Sequence, residues 1–148
     1  MRGLIIGKKI IELENRKLEI VNLKKELSDK MQFDKGDMSE NSGMVALQQE
    51  LNKLIIEEEE ITSKIKKLND IVDVDLKITD KFVCKDSIVK VDQNGEELLY
   101  IITTFTDLSK NSLSMINIES EFGNKILGLK VGDSFQIDDL NVSIKEIL

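Results

Sequence analysis

Gly36-Asp37-Met38-Ser39-Glu40-Asn41 is a short polar turn between two long stretches that repeat every seven residues. Alternating steps of four and three from Ile6 meet Ile10, Leu13, Lys17, Ile20, Lys24, Leu27 and Met31, and the same steps from Leu47 meet Leu51, Leu54, Glu58, Ile61, Ile65, Leu68 and Val72. Each series is a coiled-coil seam. Seams of matching length joined by a short connection favour antiparallel packing of one helix on the other. The spacing therefore predicts a helical hairpin, with arms of about 27 residues running on the order of 40 Å. Helix one is predicted over about Leu4 to Phe33, with Gly36 placed to end it in a left-handed conformation. Helix two is predicted to begin between Asp37 and Ser42 and to run to Leu68 or Val72.

Lys17, Lys24 and Glu58 interrupt the seams where an apolar residue would pack better. A lysine can lay its stem along the seam and keep its ammonium in water, and Glu58 can pair with one of the two, a contact worth under about 1 kcal/mol at the rim. These positions are read as setting register. The run Glu57 to Glu60 has Lys53, Lys64, Lys66 and Lys67 within helical reach, which reads as a solvated face.

After Asp70 the period changes. Ser87 to Val91 and Glu97 to Thr103 flank Asn94-Gly95, a hairpin-turn pair. Leu113 to Ile118 reads as another strand, Glu121 to Leu127 as a short amphipathic helix ending at Gly128, and Ser134 to Ile137 with Val142 to Ile147 as a closing strand pair. The fold class is α+β: an N-terminal antiparallel coiled-coil hairpin over 1–73, then a small domain over 74–148 with a mostly antiparallel sheet.

Composition narrows the chemistry. Of the 148 residues, 41% are hydrophobic and 33% charged, which fits a soluble protein. Through Val72 there are 13 basic and 14 acidic residues, net −1; subtracting these from the totals of 21 and 28 leaves 8 and 14, net −6, from Asp73 onward. A free-standing nucleic-acid binder would show a basic face, so a protein partner is expected. Cys84 is the single cysteine, which leaves no internal disulfide and favours a reducing compartment. The opening residues are too short an apolar run for a signal peptide or membrane span, so a cytoplasmic location without membrane attachment is expected. With no histidine and no second cysteine, His-assisted nucleophiles and thiolate or imidazole metal sites are excluded, and no phosphate-binding glycine loop is present. Carboxylates must carry any chemistry.

The hairpin, the Gly36 to Asn41 turn, and Ser120-Glu121-Phe122-Gly123-Asn124-Lys125-Ile126-Leu127-Gly128-Leu129-Lys130-Val131-Gly132-Asp133 together resemble the bacterial Gre transcript cleavage factors. That family's tip reads G-D-L/R-S/K-E-N and its second domain carries S-P-L-G-x-A-L-L-G-K-x-V-G-D. The resemblance spans nearly the whole chain in the family's domain order. It implies that 74–148 is an FKBP-like domain docking on bacterial RNA polymerase, and that the coiled coil passes down the secondary channel to the active centre. Asp37 and Glu40 would then act as the catalytic pair, helping to hold a second Mg²⁺ and to position the attacking water. The polymerase would hydrolyse its own backtracked RNA, the protein itself being no enzyme. The RNA 3′ end would be contacted only within the elongation complex, Mg²⁺ would not be held tightly by the free protein, and a monomer is expected.

The same residues admit other readings. Asp37-x-x-Glu40 is also a capping-box pattern at a helix start. Met44 stands where the family usually has an aromatic residue, Gln48 and Phe33 where basic residues are common, and Glu121 where it has proline; Asp34 adds a further carboxylate near the tip. Glu121 bears only on the entry to the short helix and Asp34 is compatible with either role, whereas the tip-side departures leave the acidic pair intact and raise an alternative, a divergent homologue that occupies the channel and modulates or inhibits the polymerase without cleavage. Prolyl isomerase activity is disfavoured, because the second half has one tyrosine, no tryptophan and few aromatic residues to line a proline pocket. A coiled-coil adaptor without a polymerase link would leave the tip motif to coincidence.

Overall fold

The computed structural model describes residues 2–34, 41–73, 79–109 and 112–148. The elements are α1 (Arg2–Asp34), α2 (Asn41–Asp73), β1 (Ile88–Gln93), β2 (Glu96–Thr103), β3 (Ser114–Asn117), α3 (Glu121–Ile126), β4 (Ser134–Ile137) and β5 (Leu140–Ile147). This is the α+β order read from the sequence. The compact units are Met1–Lys9 with Asp70–Leu148, and Ile10–Asn69. Where the sequence suggests one boundary at 73/74, the first turns of α1 and the last turn of α2 go with the strands.

In the body 10–69, Leu13, Ile20 and Leu27 of α1 and Ile61 and Leu68 of α2 are buried, at seven-residue intervals. The alternate seam positions, among them Ile10, Lys17, Lys24, Met31, Leu51, Glu58 and Ile65, are only half-buried. Two helices leave one row of each seam at the rim. At the end of α2 the predicted position Val72 is 44% exposed and Ile71 is buried instead. A straight helix drifts about 20° per heptad relative to a 3.5-residue repeat, so the step after Leu68 is three residues, not four.

In the other unit the strands form one sheet in the order β3-β2-β1-β5-β4. β1 and β2 join through Asn94 (φ 51) and Gly95 (φ 88), both left-handed as the two-residue turn requires. Pairing of Val89 with Tyr100 and of Val91 with Leu98 puts these residues on one face. Val142, Ile144 and Ile147 of β5 join them in the core. Ile144 and Ile147 share that face although three residues apart, because the β1/β5 register shifts between Lys90 and Val91, and an extra residue in one strand turns the side chains beyond it to the other face. β3 pairs with β2 in parallel; the other pairings are antiparallel. On the opposite face Ile88, Ile101, Thr103 and Met115 are fully buried. In the same unit Ile6 and Lys9 are buried, and Arg2 donates to the Asp86 carbonyl at 2.9 Å, tying the start of α1 to the strands.

Helix α3 sits on the core face beside β3. Its approach depends on Gly123, where a Cβ would lie 2.3 Å from the Asn117 carbonyl oxygen and 2.8 Å from Ile118 Cα. Both obstacles are backbone, so no rotamer relieves them. Gly7, inside α1, has open space around its Cβ position. Gly123→Ala is expected to destabilise the full chain by about 2 to 3 kcal/mol, and Gly7→Ala to stabilise it by about 0.5 to 1 kcal/mol through helix propensity. Urea unfolding followed by circular dichroism measures both; equal effects of the two would refute the assigned packing at α3.

Candidate functional site

Asp37 and Glu40, the pair expected to serve catalysis and metal binding, lie outside the described residues, as does Gly36. α1 is described to Asp34 and α2 from Asn41, so the pair belongs to the six residues between the two helix ends. Two carboxylates suit Mg²⁺, which takes oxygen ligands and is commonly held by one or two protein carboxylates with water and phosphate completing the set. Among the described residues, no group of three or more Asp, Glu, Cys or His side chains is placed to hold a metal ion.

Two ion pairs join α1 to α2 in the body 10–69. The Arg16 guanidinium grips Glu57 with two bonds, Nε to Oε1 at 3.0 Å and Nη2 to Oε2 at 2.9 Å, and reaches Glu19 through Nη1 at 3.1 Å. Hydrogen bonding to Glu57, then to Glu19, raises its pKa further above the usual guanidinium value. Lys24 Nζ lies 2.5 Å from Glu58 Oε2, the two side chains being 29% and 25% exposed. The seam lysine and glutamate thus meet as their spacing allows. Glu57 and Glu58 turn toward α1, which corrects the reading of the whole acidic run as a solvated face; Glu59 and Glu60 remain exposed.

The first turns of α2 present little charge. Met44 is half-buried and Gln48 is exposed, with the Gln48 amide donating to Asn52 Oδ1 at 3.0 Å. Around this end of the body the exposed lysines among the described residues are Lys25, Lys30 and Lys53.

The second motif serves the backbone. Ser120 caps α3: its Oγ accepts from Gly123 N at 3.0 Å and donates to the Asn117 carbonyl at 2.6 Å. Gly128 (φ +84) donates to the Val83 carbonyl at 2.7 Å, and Gly132 (φ +94) to that of Ile144 at 2.9 Å. Asp133 Oδ2 accepts from Lys130 N at 2.9 Å. Glu121, in the family's proline position, is exposed and near its i+4 neighbour Lys125 at 3.7 Å. Ser120, Gly123, Gly128, Gly132 and Asp133 each have a folding role.

One constellation carries no sequence signal. Lys9 is 1% exposed and donates to Asp107 Oδ1 at 2.7 Å across 98 residues of chain, joining the first turns of α1 to the β2–β3 connection. A lysine beside another lysine in the sequence does not announce burial.

No protein-family model matches the sequence, and no curated protein matches it. Solved structures do. GreA factor homolog 1 (Gfh1) of Thermus thermophilus is 19% identical with a TM-score of 0.41, over 99% of this chain and 94% of that one. A structure of the transcription factor Gfh1 is 19% identical with a TM-score of 0.38, over 98% and 92%. Similarity at this level says nothing of chemistry, which rests on the residues themselves.

The half-buried Lys24–Glu58 pair is expected to show a coupling of about 1 kcal/mol in a double-mutant cycle with Lys24→Ala and Glu58→Ala. Thermal unfolding of the four proteins gives that coupling; a value under about 0.2 kcal/mol would reduce the pair to a surface contact of no consequence for register.

Proposed function

We propose that the protein is a Gre-like factor that binds bacterial RNA polymerase through the unit containing the sheet. It passes its coiled coil into the secondary channel and stimulates the polymerase's cleavage of backtracked RNA. The observation that carries this reading is the placement of Gly36-Asp37-Met38-Ser39-Glu40-Asn41 between two helices of 33 residues each. A helix of that length runs about 50 Å, longer than closing a small core requires. The second motif comes after it in the family's order.

The chemistry is hydrolysis of a phosphodiester bond, with water attacking phosphorus and the 3′ oxygen leaving. A second Mg²⁺, when bound, supplies Lewis acidity at the phosphate and lowers the pKa of a coordinated water. Asp37 and Glu40 contribute hard oxygen ligands and accept hydrogen bonds from the water that attacks, fixing its direction. Two carboxylates alone make a weak metal site, so the pair acts only with the polymerase's own acidic residues and the RNA phosphate. The protein carries no complete active site and is no enzyme by itself.

A second reading has an observation of its own. The exposed Gln48, bonded to Asn52, gives the first turns of α2 a neutral surface that would handle an extruded RNA end poorly. A factor of this kind could occupy the channel and slow nucleotide addition without promoting cleavage.

The test is a stalled, backtracked elongation complex of a bacterial polymerase at physiological Mg²⁺. The wild-type protein is expected to shorten the transcript from its 3′ end. Asp37→Ala and Glu40→Ala are expected to lower that stimulation by roughly two orders of magnitude or more while polymerase binding changes little. Cleavage that survives both substitutions would overturn the assignment. Binding and slowed elongation without shortening by the wild type would establish the channel-occupying reading instead.

A further inference from the structure

Helix α1 has a second apolar row. Leu4, Ile11 and Leu18 recur at seven-residue intervals and are 65%, 58% and 61% exposed, whereas Leu13 and Ile20, two residues beyond Ile11 and Leu18, are buried in the seam. A step of two residues turns roughly 200° about a helix, so the row lies on the side of α1 opposite the seam. A single exposed leucine is ordinary, but three in heptad register on an outer face have the pattern of another seam. The row is short: its next position is Lys25, and α1 begins at Arg2.

The row is also symmetric. Ile11 stands at its middle, with a leucine seven residues to either side. Lys8 and Glu14 stand three residues to either side, opposite in charge and both exposed. Neither has an ion pair among the described residues. Two antiparallel copies of such a helix, related by a two-fold axis at Ile11, bring each residue level with the one equally far on the other side. Leu4 of one copy then meets Leu18 of the other, Ile11 meets Ile11, and Lys8 lies level with Glu14 at both ends of the contact. Gly7 adds no side chain there, which leaves room for the lysine and glutamate stems. Parallel copies would instead set Lys8 level with Lys8 and Glu14 level with Glu14, like charges that oppose the contact.

We propose that the chain self-associates through this row, forming an antiparallel dimer in which α1 packs on α1 of a second copy about a two-fold axis at Ile11. A contact between identical patches closes at two copies. Leu4 to Leu18 is about 21 Å of helix, so the interface falls in the small class below about 1,200 Å² in total, and the dimer is weak and reversible. In dilute solution the chain is then the monomer expected from its sequence. One lysine and one glutamate flank the row in each copy, which suits an identical surface better than a lipid surface, where lysine and arginine are selected on the polar face. The dimer stands apart from the polymerase reading, because its formation and its test involve this chain alone.

Sedimentation of the full chain at low salt is expected to show a monomer–dimer equilibrium with Kd on the order of 100 μM and no larger species. Ile11→Glu, which sets two carboxylates face to face at the axis, is expected to weaken the dimer roughly tenfold or more. Ile11 is exposed, so the substitution leaves the monomer folded, which circular dichroism checks. Lys8→Glu and Glu14→Lys are each expected to weaken association roughly threefold, and the two together to restore it to within about twofold of the wild type, because the exchange keeps opposite charges level. Full association in folded Ile11→Glu overturns the proposal, as does a double exchange as weak as its single variants. A wild type that stays monomeric to about 1 mM, or that grows past two copies, overturns it as well.

Discussion

A two-helix body has one seam and nothing behind it. In this protein the seam is a row of isoleucines and leucines seven residues apart, Leu13, Ile20 and Leu27 against Ile61 and Leu68, each contributing about 1.5 to 3 kcal/mol by burial. That row makes a long hairpin stiff, but it does not choose a register, because a slip of seven residues would again set apolar on apolar. The charges add a bias. Such a slip would part Arg16 from Glu57 and Lys24 from Glu58, a loss of up to about 1 kcal/mol for each pair. Among the seam interruptions, Lys24 and Glu58 thus favour the register in which they meet.

In the sheet-containing unit a single steric condition plays the same part. Helix α3 lies against β3 only because Gly123 has no Cβ to meet the Asn117 carbonyl. Ser120 caps the helix, and Gly128 and Gly132 turn the chain back into the sheet at positive φ. The residues of the second motif that carry the resemblance, Ser120, Gly123, Gly128 and Gly132, serve backbone geometry.

Local periodicity explains what was legible in the sequence. The seam positions, the Asn94-Gly95 turn and the strands flanking it are set by neighbours within a few residues, and β4 spans Ser134–Ile137 as the sequence suggests. The misses need information from far along the chain. Val72 and Ile71 exchange places because the heptad and the helix turn drift apart. The parallel pairing of β2 with β3 has no local signature, and the Lys9–Asp107 pair joins residues 98 apart. Asp37 and Glu40 are legible as a motif alone.

The inventory of reactive groups bears on how such a protein could work. It has no histidine, and its one cysteine is half-buried with its sulfur 3.2 Å from Ser87 Oγ. Acid–base and metal chemistry then falls to carboxylates, which in water bind Mg²⁺ weakly when only two converge. A weak site is an advantage for a factor of the proposed kind. A tip that held its metal firmly would be loaded wherever the protein went, whereas a pair of carboxylates acquires function only beside further oxygen ligands. On that reading the specificity of the reaction resides in assembly, with the rod delivering ligands to a centre that supplies the rest.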